Sequence, residues 1–113
     1  MQAISQDTTQ ISAGFRALAD PLRLQIIELL RSRNGGKASS QELCVCELCE
    51  QLDVSQSKLS FHLKNLKEAH LIVSRQQGRW MYYSLNLAQF TILERYLAEY
   101  RGLGNILPAR NCD

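Results

Sequence analysis

The stretch from Val45 to Leu85 constrains the fold more than any other part of the chain. Two apolar sets at helical spacing, Val45, Leu48, Leu52 and then Leu59, Leu63, Leu66, are separated by little more than Asp53-Val54-Ser55. Three residues leave room for a turn and a cap. Ser55 is the residue type that accepts a hydrogen bond from the first turn of a helix. The pattern predicts a short helix from about Val45 to Leu52 and a longer one from about Gln56 to Ala69. That pair is a helix-turn-helix. Two strand-like runs follow, about Ile72 to Gln76 and Trp80 to Leu85. Gln77-Gly78 lies between them, where a glycine supplies the positive φ of a hairpin turn. The hairpin would stand beside the helix pair as a wing.

The flanks complete a mainly α chain. Ile11, Phe15 and Leu18 predict a first helix from about Thr8 to Ala19. Asp20-Pro21 ends it and opens the next, with Asp20 as N-cap and Pro21 at the first helical position. Leu22, Ile26, Leu29 and Leu30 form the apolar face of that second helix, and Asn34-Gly35-Gly36 stops it. Residues 37–42 are polar and read as a loop. Asn86 is expected to cap a last helix, about Leu87 to Tyr100. Phe90, Leu93, Leu97 and Tyr100 share one side of it, and Ile92 and Tyr96 widen that surface. Residues 102–113 are expected to form an irregular tail. At 113 residues the chain reads as one domain, with its core between about residues 8 and 101.

No apolar run approaches the roughly 18 to 20 residues of a membrane span. The first residues lack the basic end and apolar run of a secretory signal, so a cytoplasmic location is expected. The net charge of +2 is unevenly placed. Residues 56–79 hold Lys58, Lys64, Lys67, Arg75 and Arg79 against Glu68 alone. A basic segment centred on a helix-turn-helix suits a polyanion. The second helix of the pair would enter the major groove with Gln56, Ser57, Ser60 and Lys64 on its outer side, residue types that hydrogen-bond base edges. Phe61 would meet a thymine methyl or pack beside the wing. Lys58, Lys67 and Arg79 are placed for phosphates, Arg79 at the wing tip. A solvated helix surface would carry the same residue types one by one; their combination with the turn, wing and charge bias favours DNA. No nucleophile–base pair and no nucleotide-binding glycine loop is present, which disfavours an enzyme. His62, at the core boundary, reads as a packing or hydrogen-bonding residue. His70 stands where a helix end favours glycine.

Three of the four cysteines, Cys44, Cys46 and Cys49, lie within six residues, and Cys112 is remote. Clustered thiols in a reducing compartment point to metal or redox chemistry rather than a disulfide scaffold. Thiolates prefer soft ions, and a closed structural zinc site would want a fourth ligand. In a regular helix Cys46 and Cys49 share a face, whereas Cys44 lies about 200° from Cys46. All three reach one ion only if the start of the helix is irregular or unwinds. A helix start also lowers thiol pKa values. Alternatives are a Cys46–Cys49 disulfide as a redox trigger, capture of cadmium, lead or bismuth, and a small thiol oxidoreductase. The last is disfavoured because no strand-rich core surrounds the motif.

Residues 19–26 (Ala-Asp-Pro-Leu-Arg-Leu-Gln-Ile), 57–69 and 77–83, together with Glu42-Leu43-Cys44-Val45-Cys46-Glu47-Leu48-Cys49, closely resemble the ArsR/SmtB family of metalloregulatory repressors. The similarity covers about residues 11–101, and the cysteine run is similar to the signature of the arsenic-responsive subgroup. The resemblance implies a homodimeric winged helix joined through its first and last helices. It implies an apo dimer on double-stranded operator DNA, an inverted repeat for a two-fold dimer. It further implies that As(III) or Sb(III), held by Cys44, Cys46 and Cys49, is the inducer that releases the operator. The last helix lacks the carboxylate and histidine set of zinc-sensing relatives, and Cys112 lies outside the familiar pattern.

Overall fold

The computed structural model describes the backbone of residues 2–34 and 43–106 and the side chains of residues 8–32 and 43–102. Along the chain run α1 (Gln2–Leu18), α2 (Pro21–Asn34), β1 (Leu43–Cys44), α3 (Val45–Leu52), α4 (Gln56–Glu68), β2 (Ile72–Gln77), β3 (Trp80–Leu85) and α5 (Leu87–Ile106). Residues 37–42, expected as a loop, and Cys112 lie outside the described residues.

Each helix boundary has a local cause. Asp20 Oδ2 accepts from the backbone N–H groups of Leu22 (3.0 Å) and Arg23 (3.1 Å), so the expected N-cap starts α2. These N–H groups, Arg23's first, hold the Asp20 carboxyl below the usual carboxylate range. Helix α3 stops because Asp53 turns left-handed at φ 56°, its N–H bonding the Cys49 carbonyl at 2.8 Å. Ser55 then caps α4, its hydroxyl accepting from Lys58 N at 3.2 Å. At the other end of α4, Leu71 N bonds Leu66 O and His70 N bonds Lys67 O, the paired bonds of a Schellman motif. His70 occupies the left-handed position of that motif, at φ 63°, where the sequence expectation was glycine.

The core gathers around α4. Leu59, Leu63 and Leu66 are buried against Ile26, Ile27 and Leu30 of α2, Leu48 of α3, and Leu71 and Ile72 at the start of the wing. Removing a fully buried leucine such as Leu59 by substitution with alanine would cost about 2–5 kcal/mol. The β2–β3 pairing runs from Ile72↔Leu85 to Gln77↔Trp80. Its two-residue turn is Gly78-Arg79, with Gly78 at φ 62°. Positive φ at the first turn position is what a tight hairpin needs.

Four expectations are corrected. The sheet has three strands in the order β1-β3-β2, because Leu43 and Cys44 pair antiparallel with Tyr83 and Tyr82. Helix α1 begins near residue 2 rather than at Thr8, and α5 continues to Ile106 rather than ending at Tyr100. Once a helix is nucleated, each added residue gains a hydrogen bond, so it can run through Gly102 and Gly104 despite their cost of about 1 kcal/mol each. Asn86 precedes α5, but its side chain does not cap it. Asn86 Nδ2 donates to the His70 carbonyl at 2.8 Å and so ties α5 to the end of α4.

Helices α1 and α5 pack together closely. A methyl group on Gly14 would lie 3.0 Å from Leu93 Cδ2. Beyond this contact α5 keeps apolar surface in solvent: Leu97 and Tyr100 are more than half exposed. The Cα radius of gyration is 17.4 Å, against about 13 Å for a compact domain of this length.

Candidate nucleic-acid interface and thiol site

Helix α4 divides sharply. Its inner side buries Leu59, His62, Leu63 and Leu66, while Gln56, Ser57, Lys58, Ser60, Phe61 and Lys64 are all exposed. For Ser57, Ser60, Phe61 and Lys64 the partition follows from the 3.6-residue period, whereas Gln56 falls near the angle of Leu63, begins the helix and lines a groove between α3 and the wing. Phe61 is 61% exposed, and its ring meets the edge of His62 on its own helix rather than the wing. His62 takes the hydrogen-bonding role expected of it, with Nδ1 3.0 Å from Nη1 of Arg23 and 3.9 Å from Asp20 Oδ2. Arg79 is exposed at the wing turn, its guanidinium 5.6 Å from the Trp80 ring centroid. Arg75, further down the wing, lies 5.0 Å from the Tyr82 ring. Cationic groups thus sit on both α4 and the hairpin.

The thiols lie where β1 passes into α3. Cys44 is the last residue of β1 and the N-cap of α3, with extended backbone (φ −88°, ψ 166°). Its N–H donates to Glu47 Oε1 at 3.0 Å, the returning half of a capping box. Because Cys44 is the extended N-cap and not part of the helix, the 200° separation of a regular helix does not apply to it. Cys44 Sγ and Cys46 Sγ lie 2.8 Å apart. Donating its S–H to the Cys44 sulfur pushes the Cys46 thiol up, with burial and the Cys44 charge adding to it, against a smaller opposite pull from the Glu47 amide. The depression expected at a helix start is therefore outweighed at Cys46.

Cys44 is buried, Cys46 exposed and Cys49 half-buried. Cys46 and Cys49 open into one groove of about 810 Å³ between α3 and the wing, lined by Arg79, Trp80 and Met81 of the wing and by Val54 and Gln56 where α3 turns into α4. Sequence reasoning missed this wall, since residues 30 apart give no periodic signal of contact. It also missed β1, because two residues are too few to show strand alternation. Among the described residues no three His, Cys, Asp or Glu side chains converge into a formed metal site. The donor set still suits a soft ion: two sulfurs already touch, and the third is on the groove that the second lines.

A helix-turn-helix with a cationic outer face, a three-stranded wing and no convergent acid–base or nucleophile constellation among the described residues defines a winged-helix regulator. The model of the arsR family of bacterial regulatory proteins matches residues 20–74. An arsenical resistance operon repressor of Escherichia coli (strain K12) is 49% identical over 72 residues, which span 64% of this chain and 56% of that protein. Another, from Staphylococcus aureus, is 37% identical over 79 residues, spanning 70% of this chain and 68% of that one. The crystal structure of an ArsR family transcriptional regulator superposes with a TM-score of 0.75 at 27% identity, covering 89% of this chain and 96% of that one. The chain belongs to the ArsR family. The match to the E. coli repressor spans little more than half of that protein's length.

Proposed function

We propose that the chain is a homodimeric, cytoplasmic transcriptional repressor that holds an operator through α4 and the wing and releases it when Cys44, Cys46 and Cys49 capture As(III) or Sb(III). The observation that carries this is the position of the Cys44–Cys46 sulfur contact at the joint of β1 and α3, the first helix of the helix-turn-helix. Capture is an exchange without change of oxidation state. Three thiols give up their protons, three S–As bonds replace three O–As bonds, and three waters leave.

The release follows from which elements the sulfurs occupy. Cys44 is fixed by its pairing with Tyr82 and by Glu47, while Cys46 and Cys49 ride on α3. Closing three sulfurs on one ion must shift α3 against β1, and Leu48 of α3 is packed in the same core as Leu59 and Leu63 of α4. A ligand acts only through its preference for the form that does not bind DNA. A coupling of about 3 kcal/mol would weaken operator binding roughly 150-fold.

The dimer would form through α1 and α5, whose outer surface leaves Leu97, Tyr100 and Tyr96 in solvent. A two-fold axis then calls for an inverted-repeat operator with half-sites about one helical turn apart. DNA contacts are assigned to Gln56, Ser57, Lys58, Ser60, Phe61, Lys64 and Arg79. Among the described residues no helix is long and apolar enough to cross a membrane.

The test is a titration of arsenite into a protein–operator complex, with zinc and cadmium run in parallel and with each of the three cysteines replaced by serine. Release by arsenite, lost in the serine variants, is expected; retention of the operator at saturating arsenite would remove the switch. One observation favours a second reading. Two sulfurs 2.8 Å apart are placed to form a disulfide when a peroxide accepts the electrons. The pair concerned is then Cys44–Cys46, not the Cys46–Cys49 pair suggested by the sequence. Operator release by peroxide, reversed by a dithiol, would support it.

A further inference from the structure

We infer that Trp80 transmits thiol capture to the DNA: it lines the groove into which Cys46 and Cys49 open and holds the wing-tip cation Arg79, so that capture withdraws Arg79 from the operator backbone. This rests on the thiol-capture function proposed above and names the route by which that site acts.

Two connections join the sulfurs to the wing. The first runs through the sheet. Cys44 pairs with Tyr82, which follows Trp80 and Met81 on β3. Paired strands are tied by backbone hydrogen bonds, so a pull on Cys44 is felt along β3. The second crosses the groove, where Cys46, Cys49 and Glu50 of α3 share a lining with Arg79, Trp80 and Met81 of the wing. A change in the angle between α3 and the wing alters the space that Trp80 borders. The Trp80 ring is 48% exposed, so it can shift where a close-packed residue such as Leu48 cannot.

Trp80 also reaches the DNA-facing surface. It is the first residue of β3, beside the turn, and the Arg79 guanidinium lies 5.6 Å from its ring centroid, inside the roughly 6 Å range of a cation–π contact. An arginine on a tight turn samples many rotamers. Resting on the ring reduces the entropy that it loses on meeting a phosphate. Moving the ring therefore moves the cation. Gln56 lines the same groove, but it belongs to the capped first turn of α4. A shift of α4 as a whole would weaken its DNA contacts together, Gln56 and Lys64 included. A shift of Trp80 withdraws the Arg79 contact and leaves those of α4. The two routes differ in which substitution alters the response to capture.

The experiment measures DNA affinity with and without saturating arsenite, by anisotropy at low salt, on a labelled duplex that the reduced parent chain selects from a random pool. The parent is compared with Arg79→Ala, Trp80→Ala, Trp80→Phe, the double variant Arg79→Ala with Trp80→Ala, and Lys64→Ala. Arg79→Ala should weaken the arsenite-free complex and not the loaded one, so the fold-release by arsenite should shrink by about fivefold or more. Trp80→Ala should shrink it likewise, Trp80→Phe should keep most of it, and the double variant should lose no more than Arg79→Ala. Lys64→Ala should weaken both states equally and leave the ratio unchanged. Calorimetry should give Trp80→Ala the parent's arsenite affinity, showing an intact thiol site; should that variant lose arsenite, Arg79→Ala and Trp80→Phe decide alone. Trp80 is the chain's single tryptophan, so its emission should change when arsenite is added to the free parent and not to Cys46→Ser. A parent-like ratio in Arg79→Ala, additive losses in the double variant, or unaltered emission in the parent would overturn the inference and leave the proposed function standing. A ratio that shrinks in Lys64→Ala and not in Arg79→Ala would place the route in α4 and overturn it too. A parent that keeps the duplex at saturating arsenite would overturn the proposed function itself, and the inference with it.

Discussion

Nη1 of Arg23 donates a hydrogen bond to Nδ1 of His62 at 3.0 Å, joining the start of α2 to the buried side of α4. Arginine has no acceptor, so Nδ1 must accept and the imidazole carries its proton on Nε2. The same guanidinium donates through Nε to the Ala17 carbonyl at 2.7 Å. One side chain thus fixes the end of α1, the start of α2 and the inner face of α4. Replacing His62 by alanine leaves a donor without its partner and a hole beside Leu63. We expect a loss of about 1–3 kcal/mol, measured by urea unfolding. An unchanged midpoint would show that the contact contributes nothing.

His70 bears a cost that glycine would not. At φ 63° a side chain with a Cβ is strained by about 1 kcal/mol or more, and the bonds that His70 makes there use only its backbone N–H and carbonyl. His70→Gly should therefore stabilise the fold by about 1 kcal/mol, whereas His70→Ala, which keeps a Cβ, should gain little. Thermal melts of the two variants beside the parent decide it. Equal effects would mean that backbone strain is not the cause.

The Cys46 thiol should stay protonated to higher pH than an ordinary thiol, because its S–H is held in a hydrogen bond to the Cys44 sulfur. Thiolate is the reactive form, so alkylation of Cys46 by iodoacetamide should rise with pH and inflect above the ordinary thiol value. In Cys44→Ala the shared bond is gone and the inflection should move to lower pH. Site-resolved mass spectrometry across a pH series provides the measurement; an inflection that stays in place would remove the sulfur–sulfur contact as its cause.

Lys64 on α4 and Arg79 on the wing are both exposed and cationic. If each neutralises one phosphate, Lys64→Ala and Arg79→Ala should each lower the slope of log affinity against log salt by about 1. Should Lys64 instead read a base, its loss should cost about 1–3 kcal/mol on the operator and much less on random DNA. Fluorescence anisotropy with both duplexes over a salt series separates the two cases. Affinities unaltered at every salt would place DNA elsewhere on the molecule.

The helix-turn-helix was legible because its signals are local. Leu59, Leu63 and Leu66 recur at helical spacing, Ser55 and Asp20 cap their helices in the structure, and Gly78 turns the wing. The outer face of α4 follows from the same spacing. Helix ends were less legible: α1 and α5 run beyond their apolar stripes because propagation needs no further packing.

Thus residue order alone determined the helix-turn-helix and the β2–β3 hairpin, which side of α4 is largely polar, and that three sulfurs cluster within six residues, since each depends on neighbours within one or two turns. Only the tertiary structure decided how those sulfurs stand. The antiparallel pairing of Leu43 and Cys44 with Tyr83 and Tyr82 makes Cys44 extended, which turns its sulfur onto Cys46 and brings Trp80 across the groove from Cys49. That pairing joins segments nearly 40 residues apart. It exists because the buried strand groups must find hydrogen-bond partners, a requirement that no local pattern encodes.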